Sequence, residues 1–356
     1  MRKLAFFLAL LVCTSPLLLG QLGGDATFQF LDLPGSARAS SLGGDQLGLL
    51  DRDPNLAMHN PGLLADTMHQ QLAVSISRYV ADINFGQVAY AHQLDSLTTL
   101  GIGVKYISYG DFVATDPTGN IEGSFHGNEQ ALTIMASRRT GNFRFGLGLK
   151  TIFSTLEAYS AVGLAADAGV SFHKPENQFT ASFLVRNLGQ QVATYYEGAE
   201  KEPLPFDVQI GLSKRLKYMP FRFMLTAHHL HQWDIRFDDP RNDDSNVFFG
   251  QDTTTSSNFT DILFRHLIVG GEFYFGKNVT ARVGYNYLRR QELALEDKKG
   301  LLGFSFGIAV RVKRFYIEYG RARYHYAGGI NHLSISMNLN EFNIRKRKKI
   351  SEPTGS

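Results

Sequence analysis

The sequence predicts an all-β protein, a transmembrane antiparallel β-barrel of about 14 strands with an N-terminal plug segment. The first observation is alternation: from Val279 to Tyr287, apolar residues fall on odd positions and polar or small ones on even positions. This period of two gives a strand one apolar and one polar face. Such runs are about ten residues long, the length that a tilted strand needs to cross a bilayer, whereas soluble strands average about five or six.

The second observation is an export signal in residues 1–20. Arg2 and Lys3 precede an apolar run over residues 4–12, the pattern of a secretory signal peptide. Cys13 is the only cysteine and lies within this segment, so we expect no disulfide in the mature chain. We therefore expect an integral protein of the bacterial outer membrane after signal cleavage near residue 20, with outer-membrane lipid around it.

Residues 21–69 differ from the rest of the chain in their hydrophobic pattern. They lack sustained alternation and contain Gly-Gly pairs at 23–24 and 43–44. Several of their leucines need burial, namely Leu31, Leu33, Leu47, Leu49, Leu50 and Leu56. We interpret the segment as a plug inside the barrel lumen; a periplasmic arm is the alternative.

The barrel itself is predicted over residues 70–342, followed by a basic periplasmic tail at 343–356. The predicted strands are 71–78, 83–93, 97–108, 129–138, 142–154, 161–173, 177–187, 205–216, 220–232, 264–275, 278–289, 300–312, 314–325 and 330–340. Breaks between them alternate in length, with the longer ones at about 109–128, 188–204, 233–263 and 290–299. Short periplasmic turns that alternate with longer surface loops are typical of outer-membrane barrels, which makes this the third observation.

Charged residues on the polar faces are predicted to point into the lumen. They are Lys105, Asp167, Arg186, Asp207, Arg222, Glu272 and Arg282. A charge facing the lipid midplane would cost roughly 2–4 kcal/mol, and an unpaired buried charge is also costly. We therefore expect these groups to pair with one another or with Arg38 and Asp51 of the plug segment, and Arg38 to lie near an acidic lumen residue.

Motifs that could carry chemistry are weak. Ser171 and Lys174 fit an S-x-x-K pattern, but they run into a turn at Pro175 rather than lying on a helix. The row from His228 to His231 could bind a metal, yet on a strand an interfacial aromatic band explains it better. The acidic stretch 238–244 lacks the pattern of a calcium loop. We expect no catalysis, no metal and no cofactor, and the net charge of +3 gives no reason to expect nucleic acid.

Blocks of sequence carry a family resemblance. The N-terminal block 30–39, with Gly43-Gly44 and Asn60-Pro61, resembles FadL-like barrels and their PorV/PorQ branch. Later blocks are most similar to the PorQ side of that branch; they include 158–167, 219–223 and 319–325. The resemblance implies a non-enzymatic outer-membrane component of the type IX secretion system of Bacteroidota, which anchors surface attachment machinery beside PorU, PorV and PorZ-like subunits.

The longest predicted connection, from about Trp233 to Phe264, is the candidate partner loop. It carries Trp233, Phe237, Phe248 and Phe249 among acids and asparagines. Exposed apolar groups tend to mark partner sites, so we expect this loop to bind a PorZ-like surface subunit. Folding over the barrel mouth as a lid is the alternative. For the whole chain, the alternative function is FadL-like transport of hydrophobic compounds, which would need an apolar path past the plug.

Overall fold

The computed structural model describes residues 26–235, 259–293, 301–325 and 328–342. Fourteen antiparallel strands in these residues form one closed barrel, in which each strand pairs with its sequence neighbours and the first pairs with the last. The predicted fold class is therefore confirmed. The strands are β1 (Gln71–Arg78), β2 (Asn84–Gln93), β3 (Thr98–Thr115), β4 (Ile121–Thr140), β5 (Phe143–Leu156), β6 (Tyr159–Lys174), β7 (Phe179–Ala193), β8 (Asp207–Arg215), β9 (Phe221–Ala227), β10 (Leu267–Phe275), β11 (Val279–Asn286), β12 (Phe304–Val312), β13 (Phe315–His325) and β14 (Gly328–Asn338).

The two faces of the barrel wall follow the alternation of the sequence. In β5, Leu147 and Leu149 point outward and are 65% and 69% exposed, whereas Arg144 and Lys150 are buried on the inner face. An apolar outer surface of this kind suits lipid contact, because only every second residue of a spanning strand meets the bilayer. Among the described residues, no helix is long and apolar enough to cross a membrane.

The two ends of the barrel differ in their connections. One end, called the turn end below, has connections such as 141–142 and 313–314 and also holds the start of β1 and the end of β14. The opposite end, the loop end, carries the connections 194–206, 228–266 and 287–303. Two short helices lie within these loops, α3 (Phe259–Arg265) and α4 (Tyr287–Glu292).

The predicted loop at about 109–128 is wrong. β3 and β4 continue through it as an 18-residue and a 20-residue strand and meet in a tight turn at 116–120. Phe112 pairs with Phe125 across the hairpin, with ring centroids 5.2 Å apart. Cross-strand aromatic pairs stabilise a ladder, and in this hairpin the pairing continues past the bulges that obscure the alternation.

The N-terminal segment from residue 26 to 69 lies inside the barrel and is called the plug below. It contains α1 (Ala37–Ser41) and α2 (Pro54–His59), with Ser36 and Asp53 as their N-caps. Short 3₁₀ helices lie at Gln29–Asp32, Pro61–Leu63 and Asp66–Met68. Its fully buried leucines include Leu42, Leu47, Leu49, Leu56 and Leu63.

Glycines on the inner face let the plug backbone approach the wall. A Cβ placed on any of five of them would lie between 2.1 and 2.4 Å from a plug atom; they are Gly146, Gly169, Gly211, Gly284 and Gly320. Real Cβ atoms do not come that close, so each position has room only for hydrogen. The plug is thus fitted against the wall from β5 around to β13.

Candidate functional site: the plug and lumen interface

The most highly charged part of the interface is centred on Glu272 of β10, which is fully buried. Arg38 of α1 donates to both of its carboxylate oxygens at 2.9 and 3.1 Å. Arg282 of β11 donates to it at 3.0 Å, and Arg222 of β9 lies 3.4 Å away. A bidentate guanidinium–carboxylate contact is both strong and directional, so Arg38 ties the plug to the wall.

Further carboxylates balance the charge of these arginines. Asp51 of the plug accepts from Arg38 at 2.9 Å and lies 3.5 Å from Arg222. Glu318 of β13 lies 2.7 Å from Arg282. The arginine cluster therefore contains three guanidiniums and, with Glu272, three carboxylates, as burial of charge requires.

A second cluster lies nearer the loop end, where β6 and β7 meet the plug. Lys150 contacts Asp167 at 2.7 Å and donates to Asn187 at 2.8 Å. Arg186 contacts Asp32 of the plug at 2.7 Å and lies 3.7 Å from Asp45. Two charges from the plug thus face one guanidinium from the wall.

Backbone carbonyls of the plug take part in the same cluster. Lys105 of β3 donates to the carbonyl oxygens of Leu31 and Leu33 at 2.8 and 3.0 Å. Arg186 also donates to the Leu31 carbonyl. These bonds fix the end of the short 3₁₀ helix Gln29–Asp32, since the carbonyls there would otherwise be buried without donors.

Titration of the plug's own groups follows from their surroundings. Burial raises the pKa of Asp51, but the Arg38 and Arg222 guanidiniums outweigh it and hold that pKa well below its ordinary value. Burial lowers the pKa of His59 to about 4, against the opposing effect of the Asp45 carboxylate. At neutral pH the plug therefore presents Asp51 as an anion and His59 as a neutral ring.

Asp53 behaves in the opposite way. Burial, reinforced by the Glu318 carboxylate, raises the pKa of Asp53 to about 7. Its Oδ1 accepts a hydrogen bond from the backbone amide of Asn55 at 3.0 Å, and its Oδ2 is buried with no hydrogen-bond partner among the described residues. A protonated carboxyl suits such a position better than an anion does.

Asp207, another predicted lumen residue, faces histidines rather than the plug arginine. The amide of His229 donates to it at 2.7 Å, and the rings of His229 and His231 lie 3.8 Å from its oxygens. The histidine row was expected on a strand, and this is wrong: β9 ends at Ala227, and His229 has a left-handed backbone with φ of 54°. The chain turns there and brings the rings towards Asp207.

The structure describes only part of the candidate partner loop. Phe237, Phe248 and Phe249 lie outside the described residues. Trp233 is 51% exposed at the loop end, packs on Phe259 of α3 with ring centroids 5.5 Å apart, and stacks on His266 at the same distance.

Two cavities of different size lie between the plug and the wall. One of about 20 Å³, beside His59, Gln87 and Lys105, has room for about one water molecule. A cavity of about 320 Å³ opens at the turn end, where Asp66 of the plug contacts Arg144 at 3.0 Å.

The sequence prediction missed several charged residues of the interface, namely Asp32, Asp45, Asp66 and Glu318. Asp32 and Asp66 each follow a buried apolar residue of the plug, which is a signal that could have found them, whereas Asp45 stands between Gly44 and Gln46 and carries no such signal. Glu318 lies between Ile317 and Tyr319, in the same alternation that identified the other inward charges.

Together, the closed wall, the apolar outer face and the charge-paired plug define a plugged barrel of the outer-membrane type. No family model and no curated protein matches the chain. Among solved structures, the Pseudomonas putida toluene transporter TodX matches 86% of this chain and 98% of its own, with 14% identity and a TM-score of 0.50. The CymD monoaromatic hydrocarbon channel matches 87% and 97%, with 12% identity and a TM-score of 0.48.

At such low identity the likeness concerns the fold alone. The chain has the fold of the TodX barrel, which agrees with the predicted FadL-like architecture. The assignment to the PorV/PorQ branch stays a prediction.

Proposed function

We propose that this chain is a non-enzymatic outer-membrane component of the type IX secretion system, which docks surface attachment machinery at its loop end. The observation that supports it best is the plug itself, which packs against the inner wall and is tied to it by ion pairs. Breaking one buried ion pair typically costs about 3–5 kcal/mol, and Arg38–Glu272 is such a pair between plug and wall. The pairs at Arg186 and Arg144 add less, because their plug partners Asp32 and Asp66 are each 40% exposed. A fixed plug suits a docking protein better than an open channel.

The loop end offers a surface for such a partner. Trp233, Phe259 and Phe264 are each more than half exposed there and lie on the connection 228–266. Aromatic residues are enriched at protein interfaces, and exposed apolar groups in a cluster tend to mark them. The sequence resemblance supplies the partner class, a PorZ-like surface subunit.

A deletion strain complemented with single variants tests this proposal. Trp233→Ala and Phe259→Ala together should leave the barrel folded but lower both co-purification of the surface subunit and the amount of cargo attached to the cell. Tyr218→Ala is the matched control, because Tyr218 is a 90% exposed aromatic at the turn end. Normal cargo attachment in the deletion strain itself would refute the proposal.

Transport of hydrophobic compounds is the second candidate, and the structural likeness favours it over the first. TodX, whose fold this chain shares with a TM-score of 0.50, is a toluene transporter. Beside the second charged cluster, the loop-end half of the lumen also contains an apolar cluster with Phe28, Phe30, Phe85 and Ile152. Uptake of a labelled monoaromatic hydrocarbon into liposomes that carry the purified barrel would favour this candidate, especially if the deletion strain secretes cargo normally.

A further inference from the structure

The histidine cluster at the base of the longest connection forms a site of its own. Asp207, His228 and His229 each offer one ligand atom, and these atoms all lie within 4.8 Å of one another. His231 adds a third ring, with its Nδ1 3.8 Å from Asp207 Oδ1. We propose that these residues bind a divalent transition-metal ion, with Zn²⁺ as the best fit.

The donor set suits zinc by its chemistry. Imidazole nitrogens and one carboxylate are common zinc ligands, bound at about 2.0–2.2 Å in a tetrahedron, which places neighbouring ligand atoms about 3.4 Å apart. The Nδ1 of His229 lies 3.8 Å from Asp207 Oδ2, and the Nδ1 atoms of His228 and His229 lie 2.5 Å apart. Adjustments of about 1 Å or less would bring these two distances to the zinc spacing, and about 1.4 Å is the largest change needed among the ligand atoms of Asp207, His228 and His229.

The ring of His228 is buried, and its protein neighbours do not supply hydrogen bonds to both of its nitrogens. It is 3% exposed, one ring nitrogen faces His229, and the other has no hydrogen-bond partner among the described residues. The Nδ1 of this ring meets the Nδ1 of His229 at 2.5 Å, and an ion between the two would replace that contact by two metal–nitrogen bonds.

The surroundings hold the site in place. His266 faces the carbonyl oxygens of His228 and Trp233 with its two ring nitrogens, at 2.8 and 3.0 Å. The amide of His229 donates to Asp207, which orients that carboxylate. Bonds of this kind, around rather than within the ligand set, fix ligand orientation at metal sites.

Bound metal would fasten the base of the connection 228–266 to the start of β8. Trp233 lies five residues after His228 and stacks on His266. His266 also contacts the backbone carbonyl of His228, so one residue holds both the histidine cluster and the exposed indole. The metal site would therefore set the geometry of the loop-end aromatic surface, whatever partner or ligand that surface serves.

Zinc binding to the purified full-length barrel in detergent tests the proposal. After treatment with EDTA, wild type should take up about one equivalent of Zn²⁺, measured by calorimetry and by metal analysis. His229→Ala and His231→Ala, both of partly exposed side chains, should weaken binding at least about ten-fold. The control is His126→Ala, because His126 pairs with Asp111 on the β3–β4 hairpin but lies outside the cluster.

Fluorescence gives a second measurement, since Trp233 is the only tryptophan of the chain. Zn²⁺ should change its emission in wild type and in His126→Ala but not in His229→Ala. Heat-modifiable migration on gels checks that each variant is folded. The proposal is overturned if folded wild type binds no stoichiometric zinc, if His229→Ala binds as well as wild type, or if His126→Ala loses as much binding.

Discussion

Replacing Glu272 by Gln should weaken the barrel more than any other single charge removal at the interface. Glu272 is fully buried and meets Arg38, Arg222 and Arg282. Gln keeps the shape of the side chain but leaves three guanidiniums facing two carboxylates.

The magnitude follows from these distances. Two unit charges 2.9 Å apart attract by roughly 5–6 kcal/mol at an effective dielectric constant of about 20, and the Arg38–Glu272 contact has that length. Desolvation already offsets part of this attraction in wild type, so the measured loss should fall near the roughly 3–5 kcal/mol typical of a broken buried pair. Glu176→Gln, at an exposed turn, should change stability by less than about 0.5 kcal/mol.

The assay is reversible urea unfolding of the refolded barrel in micelles. The folded fraction is measured at each urea concentration by the migration of unheated samples on gels. A double-mutant cycle with Arg38→Met should give a coupling energy of at least about 1 kcal/mol between the plug and β10. A loss below about 1 kcal/mol for Glu272→Gln would mean that water or a bound anion compensates the cluster, and the account of a charge-locked plug would be wrong.

Three further predictions concern the wall, the lipid face and pH. Gly284→Val should expel the plug, measured as faster proteolysis of its N-terminal segment, because a Cβ there would lie 2.1 Å from the Leu42 backbone; Gly148→Ala, with 3.5 Å of room, should not. Leu147→Arg should destabilise the barrel by roughly 2–4 kcal/mol in bilayers, measured by urea unfolding after refolding into lipid vesicles instead of micelles, and equal stability would contradict a lipid-facing wall. Because the pKa of Asp53 is raised to about 7, the folded state keeps a proton that the unfolded state loses between about pH 4 and 7. The contribution of this protonated carboxyl to stability is therefore fully present below about pH 4 and is lost as pH rises to about 7. Asp53→Asn keeps the N-cap. Its free energy of unfolding, compared at about pH 5 and about pH 8, should lack this decline.

Local periodicity explains why so much of the wall could be predicted. A strand that crosses a bilayer must present every second residue to lipid, and this requirement acts on each segment separately. The predicted bounds of β1 and β14 therefore lie within two residues of the observed ones. Prediction failed where local signals compete, as at the β3–β4 hairpin, whose turn residues and bulges interrupt the alternation while cross-strand pairing continues.

The charges of the site were also recognisable one by one, because a polar residue within an apolar run of a spanning strand must face inward. The partners of these charges could not be recognised from the sequence. Arg38 and Glu272 are 234 positions apart, and nothing local says whether Arg38 meets Glu272, Asp167 or Asp207.

The barrel, its two faces and the inward charges could therefore be predicted from local sequence, since bilayer and burial act on each residue alone. Which charge of the plug meets which charge of the wall, and that His228 and His229 gather at Asp207, became visible only in the folded chain. These are contacts between distant segments, and they depend on the closure of the barrel around the plug and on the turn that ends β9.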